Sequence, residues 1–100
     1  MHSLHKKFVN LHYTALDQFS LTIPDNYPFK EDIIKAIAHI KNKLGYTAPE
    51  IVNTVFCNYI QLLISKHLPT TDNDWAIKGW KILTDSCDHV QNLTLKEYNL

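Results

Sequence analysis

Arginine is missing from this 100-residue chain, and all ten of its cations are lysines. With arginine goes the planar fork that grips a phosphate, a carboxylate or a guanine edge at two points, so nucleotide- and nucleic-acid-binding classes lose their usual anchor. Glycine occurs twice and proline four times. With no Ser-rich or Gly-rich tract and no internal repeat, nothing marks a linker or a disordered arm, and one domain over residues 1–100 is expected. Two cysteines, Cys57 and Cys87, fit no metal-ligand spacing and read as reduced packing residues. The longest apolar region, Ile51 to Ile64, is broken by Asn53, Thr54, Asn58 and Gln61, and it falls short of the ~20 residues of a membrane span. Phe8-Val9-Asn10-Leu11-His12 is too polar for the apolar centre of a signal peptide, so a cytoplasmic protein without membrane association is expected.

Charge is balanced, ten lysines against ten acids, and the balance holds along the chain: residues 1–50 carry six lysines and five acids, residues 51–100 four and five. No basic pole exists to attract nucleic acid.

What the chain has in quantity is apolar side chain, 45% of the residues, and most of it recurs at helical spacing. Leu4, Phe8, Leu11, Ala15, Leu16 and Phe19 step by three and four, which predicts a helix over 3–19 with His5 and His12 inside its apolar arc. Residues 19–23 alternate apolar and polar before Pro24 and Pro28, the pattern of a short extended segment opening a connector. Ile33, Ile37, Ile40 and Leu44 define a second helix over 29–44, and Gly45 after it suits a left-handed helix end. Thr47-Ala48-Pro49-Glu50 has the spacing of a capping box, with Thr47 as the cap of a third helix over 48–66.

That third helix stands apart. Its apolar residues cover roughly two thirds of its circumference on a ~100° wheel, leaving only the polar strip Glu50, Thr54, Asn58, Gln61 and Ser65. Either it is the central helix of a bundle, or residues 48–66 meet a second chain, as in a homodimer. A fourth helix over 72–91, capped from Thr71-Asp72-Asn73-Asp74, has Ala76, Trp80, Leu83, Cys87 and Val90 as its core stripe, with Gly79 on the same face. A mid-helix glycine predicts close approach of a neighbouring helix or a large ring. Trp75 and Ile82 flank the stripe and Ile77 lies outside it, so these three are candidates for an exposed apolar patch. The fold class these segments predict is an all-α single-domain bundle of about four helices with the third at its centre.

Chemistry-bearing sets are sparse. Asp85 and His89 stand at i and i+4, which reads as a surface ion pair, and Cys87 between them points to the other face. Of the six histidines, His2 and His5 have metal-ligand spacing but lie at the terminus, and His5 and His12 are two turns apart. A His-ligated metal site or a pH-sensing role for His2, His5 and His12 is therefore the third-ranked reading. No catalytic residues, cofactor or metal are assigned, and an enzyme is not expected.

Residues 18–66 resemble the ribbon-helix-helix DNA-binding family. The order is an alternating stretch, a helix, the turn Leu44-Gly45-Tyr46-Thr47-Ala48-Pro49-Glu50-Ile51, and a second helix. The resemblance implies a homodimer whose paired strands read the major groove through Gln18, Ser20 and Thr22. The chain departs from that family in having no cation on the strand and a proline-containing insertion before the helix. The leading expectation is instead a small helical protein-binding regulator of the inhibitor, immunity or adaptor type, using Trp75, Ile77, Ile82, Thr54, Asn58 and Gln61.

Overall fold

The computed structural model describes residues 3–67 and 73–98. They form four α-helices, α1 (Ser3–Thr22), α2 (Lys30–Gly45), α3 (Val52–His67) and α4 (Asp74–Tyr98), with a 3-10 turn at Pro49–Ile51 leading into α3. The all-α bundle expected from the periodicity is the fold observed.

Paired contacts fix its layout. His12 meets Ser86 and Phe19 lies against Gly79, so α1 and α4 run antiparallel along their length. Asn53 with Gln91 and Cys57 with Cys87 set α3 antiparallel to α4. His5 with Leu44 and Tyr13 with Lys41 do the same for α1 and α2. Helices α1 and α3 each touch the other three, whereas α2 and α4 scarcely meet across the diagonal. The centre expected of the third helix alone is thus shared with the first.

Helix α1 has no acid in its first turn and no base in its last, so its dipole receives no help from local charge. What holds it is burial: Phe8, Val9, His12, Ala15, Leu16 and Phe19 are all inside. The same strip reaches Thr22, and this overturns the extended segment expected at 19–23. Residues 19–22 are helical and only Ile23 leaves the helix. Alternation over five residues is satisfied equally by a helix end when Phe19 and Ile23, four apart, both find the core.

Two of the expected helix ends also differ. Ala48, in extended conformation, is the residue preceding the first turned residue Pro49, and no side chain caps that turn. Thr47 is therefore one position too early to form the capping box, and its hydroxyl donates back to Lys43 O at 2.7 Å. Gly45 belongs to α2 itself, and the helix closes through Tyr46 N–H and Thr47 N–H onto Lys43 O and Leu44 O, without a left-handed residue.

In α4 the buried stripe is Ala76, Gly79, Leu83, Val90 and Thr94. Trp80, expected on it, is 44% exposed, because the axis-facing place is taken by Gly79. A Cβ there would stand 2.5 Å from the Phe19 ring. Small residues at 76 and 79 let α1 come close, and the indole is turned to the edge. Trp75 takes the more buried role and packs edge-on against Tyr27 at 4.9 Å between ring centroids. Residues 93–98 continue α4 beyond the expected end at 91, with Leu93 and Tyr98 packed on the core and Thr94 bonded to Val90 O. The expected start at 72 and the capping residues Thr71 and Asp72 lie outside the described residues.

Among the described residues no helix is long and apolar enough to cross a membrane.

Candidate functional site

The apolar surface of α3 divides into two strips. Val52, Phe56, Ile60 and Leu63 recur at i, i+4, i+8 and i+11 and are buried in the bundle. Val55, Tyr59 and Leu62 form the neighbouring strip, and it is not closed over: Leu62 is 56% exposed, and Val55 and Tyr59 are half-buried. This second strip borders two adjoining open depressions. One, of about 350 Å³, is lined by Val55, Asn58, Tyr59 and Leu62. The other, of about 260 Å³, continues between Tyr59 and Leu62 of α3 and Ala36, His39 and Ile40 of α2, with Lys66 and His67 at its end. The His39 ring stands edge-on to Tyr59 at 5.7 Å. The floor is apolar and the rim carries Asn58, His39 and Lys66.

The six residues singled out in the sequence do not come together. Asn58 lies in the α3 depression, and Thr54 and Gln61 lie beside it on the exposed polar strip. Trp75 is half-buried and packs against Tyr27. Ile77 and Ile82 stand roughly 140° apart around α4. Ile77 is half exposed, while Ile82 faces α1 in a separate cleft of about 300 Å³ with Leu11, Thr14, Ala15, Gln18, Asp85, Ser86 and His89. Gln18, Ser20 and Thr22, candidates for base reading on a strand, are all on helix α1. Ser20 and Thr22 spend their hydroxyls on Asp17 O and Phe19 O. Periodicity marks α3 as apolar over a wide surface but does not single out Val55, Tyr59 and Leu62, with Ala36 and His39 of α2, as the open part, because it reports which residues share a face and not which of two apolar faces is covered.

A polar brace crosses the core beneath that surface. His12 is fully buried, stacked on Phe56 with ring centroids 3.7 Å apart and planes 11° from parallel. Its Nδ1 lies 2.8 Å from Ser86 Oγ. Its Nε2 and Asn53 Oδ1 are both buried without a hydrogen bond of ordinary geometry, and the Asn53 amide acts on the imidazole in the sense that favours its protonated form. Asn53 Nδ2 in turn donates to Gln91 Oε1 at 3.2 Å. Burial outweighs Asn53 and holds the imidazole pKa down at about 3. A hydroxyl beside an imidazole invites comparison with a nucleophile and its base, and burial makes this imidazole a weak base. The set ties α1, α3 and α4 together.

His5, the second histidine of the apolar arc, meets Leu44 O at the C-terminal end of α2, at 3.2 Å. His2 lies outside the described residues. Among the described residues no group of three His, Cys, Asp or Glu could hold a metal ion. Asp85 pairs with Lys81 at 3.5 Å, not with His89. Cys57 and Cys87, from α3 and α4, meet sulfur to sulfur at 2.7 Å.

Compared with known proteins, the chain matches no family model, no curated protein and no solved structure.

Proposed function

We propose that the chain is a small helical protein-binding module, a regulator of the inhibitor, immunity or adaptor type, that works by laying the open flank of α3 and the adjoining edge of α2 on a partner protein. The carrying observation is the apolar strip Val55, Tyr59 and Leu62, left open beside Ala36 and His39 although the neighbouring apolar strip Val52, Phe56, Ile60 and Leu63 is buried. Exposed apolar surface rimmed by polar groups is what partner surfaces on soluble domains look like. A second copy docking through the same residues of segment 48–66 is the homodimeric form of this reading. The ribbon-helix-helix alternative has no observation in its favour once residues 19–22 are helical.

The test uses Leu62→Glu and Ile77→Glu in the full chain. Crosslinking in cells should join wild type and I77E to one protein partner that L62E loses, while circular dichroism of all three remains helical. Sedimentation of the purified chain tells a second copy from a different protein. If L62E retains the crosslinked partner, the α3 flank is not the binding surface.

A further inference from the structure

Cys57 lies on α3 and Cys87 on the antiparallel α4, with their sulfur atoms 2.7 Å apart. Both are half-buried, so each keeps part of its surface open to solvent. The two sulfurs come from separate elements held in register by the neighbouring Asn53–Gln91 hydrogen bond one turn away. In the reduced chain one thiol donates to the other. Reaching the ~2.05 Å of a disulfide asks only about 0.7 Å of further approach, within what side-chain rotation and small helix shifts supply.

We propose that Cys57 and Cys87 are a thiol–disulfide site, oxidised to an intrachain disulfide by exchange with a small-molecule disulfide of the glutathione class. This inference is independent of the binding reading above. The Cys57 thiolate attacks one sulfur of the external disulfide, forming a mixed disulfide and releasing one small thiolate. The Cys87 thiolate then attacks the Cys57 sulfur, closing the protein disulfide and releasing the second. The two protein thiols lose two electrons and two protons, and the external disulfide takes both up as two small thiols. Burial and the neighbouring Cys57 raise the pKa of the Cys87 thiol, and in the intramolecular step proximity compensates for its small thiolate fraction.

The bond would close a loop holding the C-terminal part of α3, the connection and the start of α4. Constraining that stretch in the unfolded chain should raise the melting temperature by about 10–20 °C.

The experiment equilibrates the purified full chain in mixtures of reduced and oxidised glutathione, then measures intact mass after alkylation of free thiols, mobility on a non-reducing gel, and Tm. Expected are loss of both alkylatable thiols together, a monomeric band, the rise in Tm, and reversal by dithiothreitol. Cys57→Ser and Cys87→Ser should each give at most a single glutathione adduct and no rise in Tm. Two alkylatable thiols persisting in oxidised glutathione, a stable mixed disulfide on wild type, or a covalent dimer as the oxidised product would each overturn the proposal.

Discussion

His12 is the residue in which packing and charge are most tightly tied. The folded imidazole stays neutral down to about pH 3, while an unfolded one takes its proton near pH 6.5. Between those values the unfolded chain binds the extra proton, so stability falls as pH falls, and His12 costs nothing above the window. Urea melts from pH 7 to pH 4 should therefore show wild type losing about 1.4 kcal/mol per pH unit more than His12→Gln, which does not titrate. Parallel slopes would mean that His12 is not held neutral in the fold. The two glycines differ at the same scale. Gly79→Ala drives a methyl into the buried Phe19 ring and should cost about 1–3 kcal/mol. Gly45→Ala meets only Tyr13 Oη at an ordinary 3.5 Å and should gain about 0.5–1 kcal/mol by removing the freedom of a glycine from a helix. Thermal or urea unfolding of the two variants should move in opposite directions.

At the scale of the element, the start of α3 is under-capped. Ala48 occupies the cap position in extended conformation and offers no side-chain acceptor. Ala48→Ser puts a hydroxyl where the free N–H groups of the first turn lie, and should stabilise the protein by about 0.5–1 kcal/mol in urea melts. Thr47→Ala should cost less than an N-cap deletion, because its hydroxyl bonds an exposed carbonyl of the preceding helix. Helix α4 makes a related point about length. The register set by His12–Ser86 and Phe19–Gly79 brings residues 90–94 level with the first turns of α1. The helix continues past residue 91 because there is a partner helix to lie on, which the polar sequence Gln91-Asn92 does not announce.

For the molecule as a whole, four helices bury one continuous core running from Phe8 to Val90, yet the coverage is uneven. The α1–α4 seam is tight where Phe19 meets Gly79 and opens into a cleft beside Ile82, while the outer flank of α3 stays open at Leu62. Leu62→Glu removes apolar surface that touches water and should change stability by no more than about 0.5 kcal/mol, while Leu63→Ala, one residue on and buried, should cost about 2–5 kcal/mol. That contrast, measured by urea unfolding, separates the surface strip from the core strip independently of any partner.

Sequence periodicity determined the helices, because an amphipathic segment has one way to bury its apolar stripe, and Ile33, Ile37, Ile40 and Leu44 are all inside as their spacing requires. It also determined that Gly79 faces a close neighbour. Tertiary structure alone decided the rest, since each depends on what another helix brings to the same place. Residues 19–22 are helical because Phe19 and Ile23 reach a common core; Trp80 yields to Gly79 because of the Phe19 ring; and Cys57 and Cys87 become a pair only when α3 and α4 align. The wide apolar surface of α3 was legible in the chain, but which strip of it would be sealed and which left open was fixed by where α1, α2 and α4 ran out of side chains to cover it.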